Sequence, residues 1–234
     1  MVIGKWYRGL RTIKADLQHA RNLDVPMSLE SVENLHESLL AMEPSEFVSR
    51  FLFEAIPHAF DEDLDLLISW KTRLAAHLHV DPYEMVITGS GAIGFSLNPK
   101  KNYRAYHSGS DIDVGVVSLH HFEVAWRYLR KSRPSWLSLK AKTRRALSSH
   151  RRNYVFEGAI ATDLILPLLP FGMDWQAGLD DMANHPPTIG RDVKLRIYRD
   201  YDALRAYQAN NIRNLRAEIL QTDEPIEIIS REED

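Results

Sequence analysis

The sequence contains no cysteine. That excludes disulfides, thiolate zinc sites and a cysteine nucleophile, and it suits a reducing compartment, so a cytoplasmic protein is expected. No apolar run approaches the roughly 20 residues needed to span a bilayer, which predicts no membrane partner. Met1 to Leu10 carries Lys5 and Arg8 with no apolar region behind them, so no secretory signal is expected. The ten histidines show no metal-ligand spacing, and neither an internal repeat nor a low-complexity tract interrupts the chain. What remains is the profile of an ordinary globular protein of 234 residues, long enough to bury a core.

Acidic residues are also missing from one long stretch. Between Val124 and Phe156 there is no Asp or Glu, while ten Lys and Arg residues lie between Arg127 and Arg152. A local excess of this kind suits a triphosphate or a polyanion, against a net charge of only -3 for the whole chain. A solvated basic surface is the plainer alternative.

Residues 1–25 are basic and weakly patterned, a helix or an arm. Ser28 to Met42 has apolar residues at helical spacing, with Ser28 or Ser31 as its cap, and Glu46 to Ala55 forms a second helix stopped by Pro57. Asp61 to His79 is the clearest helix of this half. Leu64, Leu67, Ile68, Leu74, Ala75 and Leu78 share one face, and acidic residues sit at its N-terminus. Glu84 to Thr88 reads as a short buried strand. Ser118 caps a helix that breaks at Pro134, and another follows from Leu137 to Ser149. Tyr154 to Leu166 is strand-like and contains Asp163. Prolines and Gly172 make 167–190 a loop-rich connection. Val193 to Ile197 alternates as a half-buried strand, placing Lys194 and Arg196 on one face, toward a cleft or toward water. Asp200 caps a last helix, and the tail after Gln221 is acidic and loose.

The stretch Met85 to Val117 carries the chemistry. Gly89-Ser90-Gly91-Ala92-Ile93-Gly94 follows a predicted strand and matches the glycine fingerprint of dinucleotide-binding folds, with Asp111 or Asp113 as the ribose acid. The context contradicts that match. In such folds the acid ends its strand, whereas here Asp111 and Asp113 lead into Val114, Val116 and Val117. Asn98-Pro99 also breaks any helix starting at Gly91 after about two turns.

A different reading accounts for both halves. Gly89 lets a phosphate approach the backbone, Ser90 adds a hydroxyl donor, and a short helix follows. Asp111 and Asp113, two apart, project from one face of a strand. Adjacent carboxylates repel unless a cation bridges them, and Mg²⁺ takes a few carboxylates together with substrate phosphates.

Gly89-Ser90, a short helix and then Asp111-Ile112-Asp113 resemble the polymerase-beta-type nucleotidyltransferase superfamily, whose pattern is h-G-[GS] followed by D-h-[DE]-h. The resemblance covers Met85 to Val117 and extends to Asp163 as the third carboxylate. The overall features are also similar to bacterial nucleotidyltransferases, including antiviral-defence members. It implies an α+β fold, a mixed β-sheet flanked by helices. On that expectation residues 1–60 are an N-terminal helical segment, 61–190 the nucleotidyltransferase core, and 191–234 a strand and helix packed on it.

The implied activity is transfer of a nucleotidyl group from a nucleoside triphosphate to a hydroxyl. Two Mg²⁺ or Mn²⁺ ions would be held by Asp111, Asp113 and Asp163. Gly89, Ser90 and Gly91 would grip the phosphates, with Lys140 and Arg144 as further triphosphate contacts. The acceptor is a nucleotide or oligonucleotide 3′-hydroxyl, which the basic stretch favours, or a protein or small-molecule hydroxyl. A protein encoded alongside this one is a further expected partner. A catalytically inactive nucleotide-binding module is the rival from another class. One departure from the pattern stands out: the segment between Ser90 and Asp111 is longer than in minimal members. Its Lys100, Lys101, Arg104 and His107 make either a basic loop over the site or a solvated insertion.

Overall fold

The computed structural model describes residues 29–222. The basic segment 1–25, the Ser28 cap and the tail beyond Thr222 lie outside the described residues. Among those described, no helix is long and apolar enough to cross a membrane. The fold is α+β, with a four-stranded mixed sheet flanked by helices.

Helix α1, Val32–Ala41, starts at Ser31, whose side chain accepts a hydrogen bond from the Asn34 N–H. Helix α2, Pro44–Val48, places proline in its first turn and runs on through a wide π-turn, Ser49–Glu54. Helix α3, Leu64–Leu78, is capped by the Asp63 carboxylate and ends where His79 turns left-handed. It is shorter than the expected Asp61 to His79, because Asp61 and Glu62 both have positive φ. Its buried stripe also differs. Leu64 and Ile68 are 52% and 53% exposed, while Trp70, Leu74, Ala75 and Leu78 face the core.

Strand β1 is Met85–Thr88, and the four-residue helix α4, Ser90–Ile93, follows Gly89 directly. A folded-back loop then returns the chain to β2, Ile112–Val117, its arms joined by the Phe95–Ala105 bridge and by Ser96 N–H donating to Arg104 O. Helix α5 is Leu119–Ser132 and α6 is Ala141–Ser149, with a 3-10 segment between them. Of the expected strand Tyr154 to Leu166, only β3, Ala159–Ala161, is extended. Residues 167–190 hold a helix where a loop-rich connection was expected: α7 is Gly172–Met182. Prolines bracket it without entering it, and its Trp175 is fully buried with the indole N–H donating to Leu78 O. Strand β4, Val193–Tyr198, and helix α8, Tyr201–Thr222, complete the fold, with Asp200 accepting from Ala203 N–H at the start of α8.

The sheet order is β1-β2-β4-β3. Strands β1 and β2 are antiparallel, β2 and β4 parallel, β4 and β3 antiparallel. An antiparallel β1–β2 pair is incompatible with the parallel βαβ unit of dinucleotide-binding folds. The register sorts the residues into two faces. Met85, Ile87, Ile112, Val114, Val116, Leu195, Ile197 and Ile160 occupy one, and all join the main core. That core runs without a break from Leu35 to Ile219, so the three segments expected from the sequence share it over the described residues. On the second face, Val117, Tyr198 and Ala159 form a smaller cluster with Leu204 of α8. Gly115 makes this packing possible: a Cβ there would lie 2.9 Å from Leu204 Cδ1. Helix α8 thus covers the Val117 end of this face closely. The Asp113 end opens into a cleft.

Candidate functional site

Two rows of residues cross the second face of the sheet. Thr88, Asp113 and Lys194 stand side by side on β1, β2 and β4. Val86, Gly115, Arg196 and Ala161 form the next row. Asp111 lies one residue before β2, and its carboxylate meets the Lys194 ammonium of the first row. A cleft of about 910 Å³ lies over this end of the sheet, with Gly89, Asp113, Asp163, Lys194 and Arg196 in its walls but not Asp111. The far wall is the polar face of α8, where Gln208, Asn211 and Asn214 meet the cleft.

Gly89 lies against the central carboxylate. Its φ of 64° and ψ of -152° suit glycine alone, and a Cβ built on it would lie 2.6 Å from Asp113 Oδ2. Gly91 does something else. The same construction there meets Ile112 Cδ1 at 3.1 Å and Ile87 Cγ2 at 3.7 Å, so Gly91 lets α4 pack against the core instead of facing the cleft. Ser90 begins α4, half-buried, just behind Gly89.

Burial raises the Asp113 carboxyl above the usual carboxylate range. Arg196 and Lys194 oppose that shift, while Asp111 and Asp163 reinforce it. The Lys194 ammonium is hydrogen-bonded to Asp111 Oδ2, and this contact above all raises the lysine above its ordinary value. Asp113 and Asp163 pull on the same ammonium. Arg196 is held differently. Its guanidinium lies 4.8 Å from the Tyr207 ring centroid and 5.5 Å from that of Tyr154, and its buried Nε has no hydrogen-bond partner among the described residues.

Asp163 is not a strand residue as expected. It lies in an exposed turn two positions beyond β3. Thr162 pins that turn to β4, its backbone N–H and its hydroxyl both donating to Leu195 O. The turn thereby brings Asp163 to the cleft that holds Asp113.

The expected cations are placed elsewhere. Arg144 donates to the carbonyls of Leu137 and Leu139, closing the turn before α6, and neither it nor Lys140 lines the cleft. Lys142, between them in sequence, does. Lys100, Lys101, Arg104 and His107 are exposed, and none lines the cleft. Sequence reasoning therefore missed Lys142 and the amide wall of α8, and left Lys194 and Arg196 open. The amides had left a signal: Gln208, Asn210, Asn211 and Asn214 crowd two turns of a helix, where asparagine is a poor former.

Among the described residues, no three His, Asp or Glu side chains gather closely enough to hold a metal by themselves. The donor set nevertheless suits a hard divalent ion that substrate phosphates would help to ligate, since Mg²⁺ binds through one or two carboxylates plus phosphates and water. No protein-family model, no curated protein and no solved structure matches this chain.

Proposed function

We propose that the chain is a metal-dependent nucleotidyltransferase, moving a nucleoside monophosphate or its deoxy form from a triphosphate to a hydroxyl acceptor. The observation that carries this reading is the contact of Gly89 with the Asp113 carboxylate, in a cleft that also gathers Asp163, Lys194 and Arg196. A triphosphate is the ligand class that needs a close backbone approach, carboxylates and cations together.

In this account Asp111 and Asp113 would hold the ion, Mg²⁺ or Mn²⁺, which would supply positive charge to the phosphates of the substrate and of the departing pyrophosphate. Asp163, in the wall of the same cleft, is the candidate third carboxylate for a second ion. Gly89 allows the phosphate chain to approach the backbone, and Ser90 offers its hydroxyl beside it. The guanidinium of Arg196, which lines the cleft against two tyrosine rings, supplies positive charge to the anion. The acceptor oxygen attacks the α-phosphorus and forms the new O–P bond. The bond from the α-phosphorus to the bridging oxygen breaks, pyrophosphate leaves with the electron pair, and the hydroxyl proton passes to the Asp163 carboxylate.

A nucleotide 3′-hydroxyl is the favoured acceptor, because Lys142 extends the basic 127–152 stretch into the cleft wall. Binding to an oligonucleotide should then weaken steeply as salt rises. A second reading, a metal-free nucleotide-binding module, draws on the Lys194–Asp111 contact, which already balances one carboxylate. Incubation with each labelled NTP and dNTP in Mg²⁺ or Mn²⁺, followed by product sizing, separates the two. The proposal expects pyrophosphate together with a labelled product, and triphosphate that binds without turning over would favour the module.

A further inference from the structure

Lys194 and Arg196 differ in a way that the proposed reaction does not by itself require. Arg196 packs against the neighbouring rings of Tyr154 and Tyr207, and its Nε is buried. Lys194 has a half-exposed side chain and, among the described residues, is hydrogen-bonded only at its tip, to Asp111, itself half-exposed. Of these two cations, Arg196 is held in place. The other is tethered to a carboxylate that the proposed reaction assigns to the metal.

Those two assignments compete. A divalent ion bound to the Asp111 carboxylate would stand beside the Lys194 ammonium, and like charges at such a separation repel strongly in a partly buried site. Lysine carries its charge on a flexible four-carbon stem, so the contact can break without moving β4. Once released, the ammonium is still on the row shared with Thr88 and Asp113, under the cleft where the phosphates would lie.

We propose that Lys194 is a displaceable counter-cation: it occupies Asp111 until the metal arrives, and then transfers its charge to the triphosphate. The inference rests on the nucleotidyltransferase reading of this cleft. It makes metal and triphosphate binding cooperative. Metal alone must evict Lys194 from its hydrogen bond to Asp111 and leaves the ammonium only the weaker pull of Asp163, since Asp113 is also assigned to the ion. Metal arriving with triphosphate leaves the ammonium paired to phosphate. By linkage each ligand then tightens the other by the same factor. Lys194 is a positioning residue in this role, acting on the affinity of Asp111 for the ion.

The test is Mn²⁺ binding, read by electron paramagnetic resonance, with and without a non-hydrolysable α,β-methylene triphosphate. Wild-type protein should bind Mn²⁺ weakly alone and more tightly with the analogue. Lys194→Gln should bind Mn²⁺ alone about tenfold tighter or more, and most of the tightening by the analogue should vanish. Lys194→Arg, which keeps the positive charge, should restore the wild-type pattern. Unchanged or weaker Mn²⁺ binding by Lys194→Gln, in protein whose thermal melt matches wild type, would overturn the inference. Asp113→Asn reports on the underlying reading instead. Loss of Mn²⁺ binding in that variant supports a metal site at this end of the cleft, and retained binding removes that site and the counter-cation role with it.

Discussion

Gly89 and Asp113 touch: no side chain larger than hydrogen fits between the loop after β1 and the carboxylate on β2. The contact follows from the antiparallel register, which sets Thr88 opposite Asp113 and carries the next residue over the carboxylate. Gly89→Ala should be costly twice over, through its positive φ and through a Cβ 2.6 Å from Asp113 Oδ2. We expect a stability loss of about 1–3 kcal/mol, together with weakened triphosphate binding as the carboxylate is pushed aside. Gly190→Ala is the control. It has a similar φ of 69° with nothing within 4 Å, so urea melts should show only the smaller backbone cost of about 1 kcal/mol.

The cations of the basic stretch give a sharper contrast. Lys142→Ala should weaken nucleoside triphosphate binding several-fold, because Lys142 lines the cleft. Lys140→Ala, two residues earlier and outside the cleft lining, should leave the affinity within twofold of wild type. Titration with a fluorescent triphosphate checks both. Equal losses in the two variants would point to diffuse charge attraction rather than a built contact.

Much of the central stretch was legible from residue order alone. Asp111 and Asp113 lead an apolar strand, and that order set the β1–β2 reading apart from a dinucleotide fold. The parallel alternation of Val193 to Ile197 likewise placed Lys194 and Arg196 together. The cleft as a whole was not legible, because it depends on β4 inserting beside β2, a pairing between residues far apart in sequence. Asp163 illustrates the same limit: its position comes from Thr162 bonding to Leu195 O, a tertiary contact without a local signal. Helix α7 was hidden for another reason. The prolines at 167, 170, 186 and 187 dominate the composition of that region, yet all four lie outside the helix itself.

Helix α7 is therefore worth a direct test. Trp175 is fully buried, its ring centroid 4.6 Å from that of Phe171 and its plane tilted 46° to it, and its indole N–H is satisfied by Leu78 O. Trp175→Ala should cost about 3–5 kcal/mol in chemical denaturation, the range for removing a large aromatic from a core. A surface loop at this position would lose almost nothing.

His121 should make stability depend on pH. Burial, reinforced by His120 and His79, lowers its pKa to about 4, and its Nδ1 lies 2.9 Å from Ser118 Oγ. The unfolded chain takes up a proton near the ordinary value of about 6.5, while the folded protein resists until about 4. In that window the unfolded state binds more protons, so stability falls as pH drops from about 6.5 toward 4. Urea midpoints measured across the window should decline, and His121→Leu should flatten the decline.

The most direct test of the central claim compares wild-type protein with Asp113→Asn for pyrophosphate release and labelled product, across the four NTPs and four dNTPs in Mg²⁺ and Mn²⁺. Burial disfavours the charged carboxylate in the folded state, so the neutral variant should melt at the same temperature as wild type or higher. Turnover by wild type with at least one triphosphate, abolished in the folded Asp113→Asn protein, is the predicted result. Equal turnover by the two proteins would contradict the account.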